Sequence, residues 1–107
     1  MTSIDVVGMK TVLVFDDLRV FVVAAKLGSL SKAAEHLEIA QPALSRRLKR
    51  LELRIGAELM TRSAKGVFLT NHGSRLFFRS HRLVDGIAEI ERDFVLQVGL
   101  TTNDWRS

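Results

Sequence analysis

Between Gln41 and Arg54 the chain reads QPALSRRLKRLELR, which sets five cations (Arg46, Arg47, Lys49, Arg50, Arg54) against one acid, Glu52. At helical spacing Pro42, Ser45, Arg46 and Lys49 fall at i, i+3, i+4 and i+7 and share one face. Gln41 stands at the N-terminal end, and Arg47, Arg50 and Arg54 form a flanking face. A solubilising helix face mixes signs, because like charges four residues apart repel. The chemistry open to this face is therefore recognition of a polyanion. Glutamine can bond bidentately to adenine and arginine to guanine in a major groove. The small Ser45 lets the backbone approach and can donate to a phosphate. The helix N-terminus adds its positive end and free N–H groups. Arginines further along meet the phosphate backbone, which sets position and affinity rather than sequence. The pattern predicts base reading by the first turns and anchoring by the later ones.

Charge along the chain supports this. Residues 41–82 carry ten Lys or Arg and two acids, net +8, whereas residues 1–40 are net −1 and residues 83–107 net −3. A central block of this sign is an electrostatic footprint for nucleic acid. Wing-like residues Arg62 and Lys65 belong to the same block. Other chemistry finds no constellation. His36, His72 and His81 lack metal-ligand spacing. Asp85, Glu89, Glu91 and Asp93 have no nucleophile or base arranged around them. The seven glycines are scattered and make no phosphate loop. The expectation is a protein that is not an enzyme and has neither cofactor nor metal. With no cysteine, disulfide and thiolate sites are excluded and a reducing cytoplasm is suited. No run approaches the roughly 18 apolar residues of a membrane span.

The elements that position the basic helix follow from periodicity. Asp16 or Asp17 can cap a first helix with Leu18, Phe21, Val22 and Ala25 on one face, and Gly28 supplies its stop. Ser29 or Ser31 can cap a second helix, and Ser31 is preferred; its Ala33 and Ala34 permit close helix approach. Residues 38–41 form a short connection. Pro42 suits a first helical turn. The third helix runs to about Ile55 with Leu44, Leu48, Leu51 and Ile55 as its buried stripe, and Gly56 stops it. Two helices joined by a short turn, the second cationic, make the helix-turn-helix pattern.

Leu59 to Arg62 and Gly66 to Thr70 read as two short strands around a turn at residues 63–66, a small hairpin or wing. Thr70 or Asn71 then caps a long helix, from about Asn71 to about Val98. Its apolar positions Leu76, Leu83, Ile87, Ile90, Phe94 and Val98 form a stripe interrupted by Ser80. A small domain cannot cover so long a stripe, so another helix should pack there. The fold class expected is mainly α: a winged helix-turn-helix over residues 16–70, followed by a long linker helix over residues 71–98. Residues 1–15 are an N-terminal extension and residues 99–107 a tail.

Several segments together resemble the N-terminal domain of LysR-type transcriptional regulators. They are Leu18-Arg19-Val20-Phe21, Gly28-Ser29-Leu30, Ala33-Ala34, Leu37, Gln41 to Arg46, Leu48, Leu51-Glu52, Leu53 to Gly56, Leu59, Arg62, Leu69-Thr70 and Gly73. The most specific piece is the run Ala40 to Arg46 tied to Leu69-Thr70-x-x-Gly73. The resemblance implies double-stranded DNA as partner, read by a homodimer whose linker helices pair antiparallel over an interrupted palindrome. It implies base contact by Gln41, Pro42, Ser45 and Arg46. Backbone contact falls to Ser31, Lys32, Arg50, Arg62 and Thr70, to which the charge pattern adds Lys49 and Lys65. The dimer seam would be Leu83, Ile87, Ile90, Phe94 and Val98.

Three features depart from the family. The first fifteen residues exceed its usual lead. Met60-Thr61 stands where Phe-Glu is common, which implies altered packing under the wing. The chain also stops just past the linker helix, where family members continue into a small-molecule-sensing domain. It reads either as an excised DNA-binding fragment, the preferred alternative, or as a naturally short relative, and in both cases no small-molecule response is expected of it. The competing function is an interaction module that pairs with a full-length regulator through the long helix and modulates it.

Overall fold

The computed structural model describes residues 13–96. Helix α1 (Phe15–Leu27) lies at the centre and packs against the three other α-helices and the second strand of the hairpin. Its side chains Val20, Phe21, Val22 and Ala24 have essentially no exposed surface, so burial wraps well beyond the single expected stripe. Asp16 and Asp17 do not cap it. The flanking position is Val14, which makes no side-chain cap, and both acids sit inside the first turn, where they complement the helix dipole. Gly28 ends α1 with φ +66° and its N–H on the Ala24 carbonyl at 2.9 Å.

Helix α2 (Leu30–Leu37) is capped by Ser29, whose Oγ accepts from the Lys32 N–H at 3.1 Å. The preference for Ser31 as cap is thereby corrected. Ser31 is already helical, and its Oγ lies 3.1 Å from that of Ser29. Ala33 and Ala34 are buried, and their small size brings α2 against α1 and α3. Helix α3 (Gln41–Ile55) begins one residue earlier than the connection expected at 38–41, because Gln41 is itself helical. Pro42 occupies its first turn, Leu44, Leu48 and Leu51 are buried, and Gly56 ends it at φ +83°.

Strands β1 (Met60–Ser63) and β2 (Gly66–Leu69) pair antiparallel with Met60 opposite Leu69 and Ser63 opposite Gly66. Gly66 is required twice. Its φ is +129°, and a Cβ there would stand 2.7 Å from the Gly28 carbonyl oxygen. That same oxygen accepts the Val67 N–H at 3.1 Å, so the wing is docked on the α1–α2 turn. Met60 is buried beneath the hairpin.

Helix α4 (Asn71–Glu91) is capped by Thr70, whose Oγ accepts from the Gly73 N–H at 3.0 Å. The regular helix ends sooner than expected, passing into a π-helical turn (Arg92–Leu96). Val98, the N-terminal extension up to residue 12 and the tail lie outside the described residues. Ser80, read as a break in the apolar stripe, is buried, and its hydroxyl donates to the Leu76 carbonyl at 2.7 Å. It thus shares the body-facing side with Gly73 and Val84. The result is a mainly helical winged helix-turn-helix with a long C-terminal helix.

One surface link ties the end of α1 to α4. Lys26 Nζ donates to Asp85 at 2.6 Å, and His81 stands 3.8 Å from the same carboxylate. The lysine hydrogen bond holds the Asp85 carboxyl below its ordinary value. A carboxyl lowered in the folded state adds stability above its unfolded pKa of about 4, and that contribution is lost as pH falls through the folded value. Melting curves between neutral and acid pH should therefore show Asp85→Asn losing less stability on acidification than the parent. The difference should be small, because both partners are well exposed.

Candidate nucleic-acid interface

The hydrophobic side of α3 fixes what its other side presents. With Leu44, Leu48 and Leu51 buried, Gln41, Pro42, Arg46 and Lys49 are exposed, and Ser45 is half-buried beside them. Ala40, which precedes the helix, offers no side-chain cap. The first-turn N–H groups of α3 thus keep their capacity for an outside acceptor, unlike those of α2 and α4, which Ser29 and Thr70 serve.

Three elements converge beside this helix. A cleft of about 350 Å³ is bordered by Ser29, Ser31, Gln41, Arg62, Ser63 and Val67, among others. The start of α2, the start of α3 and the wing therefore meet at one open surface. Ser31, Lys32, Arg62 and Lys65 are all exposed there or on the elements that line it. Lys65 occupies the turn of the wing, where its N–H bonds to Ser63 Oγ at 3.1 Å. Of the expected contact residues, the structure groups Ser31, Gln41 and Arg62 directly and places Pro42, Ser45, Arg46 and Lys49 along the exposed side of α3.

Two expected contact residues have partners inside the chain. Arg50 donates from Nε and Nη2 to the two carboxylate oxygens of Asp17, at 2.8 and 2.6 Å. Asp17 has no exposed surface, while about half of the Arg50 side chain is open. This bidentate pair joins the first turn of α1 to the middle of α3. The Asp17 hydrogen bonds raise the Arg50 pKa further above its already high value, so the guanidinium is charged at every accessible pH. Thr70 is similarly engaged: its hydroxyl donates to the Glu58 carbonyl at 2.6 Å while accepting from Gly73.

Sequence reasoning missed a further support. Glu52, the lone acid of α3, accepts from the backbone N–H groups of Leu59 and Met60, at 2.8 and 3.3 Å. Helix α3 and the wing are thereby braced by one carboxylate. The signal was present as a single acid among five cations. Leu53, noted in the sequence only as part of the family-like run Leu53 to Gly56, is 73% exposed on α3, apolar yet outside the buried stripe. On α4, Leu83 and Ile90 are exposed and Ile87 is half-buried, and Phe94 is exposed in the π-helical turn that follows.

Comparison with known proteins agrees with this arrangement. Residues 15–74 match the family model described as bacterial regulatory helix-turn-helix protein, lysR family. The HTH-type transcriptional regulator CrgA of Neisseria meningitidis serogroup C is 38% identical over 80 residues, covering 75% of this chain and 27% of that protein. The uncharacterized HTH-type transcriptional regulator YdcI of Escherichia coli K12 is 37% identical over 86 residues, covering 80% of this chain and 28% of that protein. This chain thus spans about a quarter of the length of such relatives. Among solved structures, a complex of BenM_DBD with catB site 1 DNA superposes with a TM-score of 0.67 at 30% identity. It covers 85% of this chain and 94% of that one.

Proposed function

This chain belongs to the lysR family of bacterial regulatory helix-turn-helix proteins, and from that we propose that it binds double-stranded DNA by sequence as the DNA-binding unit of a cytoplasmic transcriptional regulator, without catalysis. One observation carries the reading: α2, α3 and the wing bring Ser31, Gln41 and Arg62 to a single open cleft beside the exposed Pro42, Arg46 and Lys49. In this reading α3 enters the major groove. Gln41, Pro42, Ser45 and Arg46 meet base edges, since the N-terminal residues of a recognition helix read the groove. Ser31, Lys32, Lys49, Arg62 and Lys65 meet the phosphate backbone. Arg50 and Thr70 act chiefly by holding α3 and the wing in place, because Arg50 Nε and Nη2 and the Thr70 hydroxyl are already engaged. Two copies, paired through α4, would present two recognition helices to an interrupted palindrome. The DNA complex of BenM_DBD, a structural relative over most of this chain, supports the DNA reading.

Selection of binding sites from random duplexes, run beside a measurement of solution mass, tests this reading. It should return a two-fold sequence and a dimer. Within the selected site, Arg46→Ala should cost about 1–3 kcal/mol and relax discrimination at one base pair. A gel-shift series in which Arg46→Ala bound as the parent does would sink the assignment of Arg46 to a base. Binding confined to a salt-insensitive background would sink the DNA reading itself, because Lys and Arg contacts release counterions. It would favour an interaction module instead.

A further inference from the structure

Helix α4 has a third face. Its body side carries Gly73, Ser80 and Val84, all buried. Its pairing side, in the dimer reading above, carries Leu83, Ile87 and Ile90. Phe78 belongs to neither. At 3.6 residues per turn it stands roughly 160° around the helix from Ser80 and roughly 140° from Leu83. It is 77% exposed, more than any other large apolar side chain among the described residues. Arg75 and Arg82 lie about one turn to either side of it. Ser74, Arg75, Phe78 and Arg79 line one open, mainly apolar depression.

A single exposed apolar side chain is ordinary. The surroundings of this one are not. Residues 71–82 carry three arginines (Arg75, Arg79, Arg82), no lysine and no acid. Among the described residues none of the three arginines forms an ion pair. The first acid beyond them, Asp85, is held by Lys26 at 2.6 Å. Glu89 follows roughly two turns past Arg82. Like charges at three- and four-residue spacing repel, so this arrangement is not that of a solvated face. Aromatic and arginine side chains are the types enriched at the centres of protein interfaces, where lysine is depleted.

The missing counter-charge gives the partner its chemistry. It must bring carboxylates to the guanidiniums and an apolar side chain to Phe78. A DNA backbone brings anions but nothing apolar, and a ring standing out between the arginines holds phosphates away from them. None of these residues borders the cleft of Ser31, Gln41 and Arg62. We infer that this face of α4 is a docking site for an acidic segment of another protein, which sets an apolar side chain on Phe78 between carboxylates paired with Arg75, Arg79 and Arg82. Such docking needs neither bound DNA nor the pairing of α4.

Selection of short helical peptides from a random displayed library, against the 107-residue chain without DNA, tests this. Recovered peptides should be rich in aspartate and glutamate around a leucine or aromatic residue, and salt should weaken their binding. Phe78→Ala should melt as the parent does, because its ring is mostly in solvent, yet bind a recovered peptide about tenfold or more weakly. Arg75→Glu and Arg79→Glu should each weaken it to a similar degree. Recovery of no peptide, of peptides without an acidic excess, or of peptides that bind Phe78→Ala as they bind the parent would overturn the docking site. So would a loss of about one from the salt slope of DNA binding in each of Arg75→Ala, Arg79→Ala and Arg82→Ala, which would assign these arginines to phosphates.

Discussion

Gly73→Ala should destabilise the fold by about 3 kcal/mol, although helix propensity alone predicts a gain of about 1 kcal/mol. Gly73 lies in the first turn of α4, where alanine is ordinarily the better residue. A Cβ at this position, however, would overlap the Leu59 carbonyl oxygen and crowd the rest of that peptide. The obstacle is backbone and cannot rotate away. The same oxygen accepts the Thr70 N–H at 3.0 Å, and Thr70 in turn caps α4 through the Gly73 N–H. Relief therefore requires α4 to move off the Leu59 peptide that leads into β1, which breaks the cap and loosens the wing. Urea denaturation decides the matter by sign: a midpoint unchanged or raised in Gly73→Ala would mean that α4 and β1 do not approach as closely as described. Gel shifts on the same variant should lose affinity together with stability, because the wing carries Arg62 and Lys65.

How much of this was legible beforehand depended on the range of the interaction. The leucine stripe of α3, the stop at Gly56 and the hairpin turn are written in residues at most a few positions apart, and periodicity found them. Caps were harder. Asp16, Asp17, Ser29 and Ser31 are all good capping types, so residue type alone does not distinguish Ser29, which caps α2, from the acids, which fall inside α1. The basic face of α3 was readable as chemistry because its charges share one helix. The restraints that aim this face were not readable. Asp17 and Arg50 are 33 residues apart, and Gly73 and Leu59 meet only through tertiary packing. Leu69-Thr70-x-x-Gly73 was visible as a family pattern. Its physical reason, a hydroxyl cap above a glycine with no room for a side chain, emerges only from the fold.

Arg50→Ala should separate folding from DNA contact. Removing this guanidinium leaves the Asp17 carboxylate with no exposed surface and no charged partner, one of the few situations in which a single substitution is severe. The melting temperature should fall by roughly 10 °C, well beyond the effect of Lys49→Ala or Arg62→Ala. Arg50→Lys should recover little, because an ammonium cannot reproduce the two parallel bonds to Asp17. The deciding readout is the salt dependence of DNA binding, measured cold enough that the variant is folded. A lost phosphate contact lowers the slope of log K against log salt by about one. Lys49→Ala and Arg62→Ala should each show that loss, and Arg50→Ala should keep the parent slope while binding more weakly at every salt concentration. A slope reduced by a full unit in Arg50→Ala would return Arg50 to the phosphate backbone. In the positioning reading, Asp17→Asn should lower stability and affinity in the same sense as Arg50→Ala, although Asp17 is buried and cannot itself reach DNA.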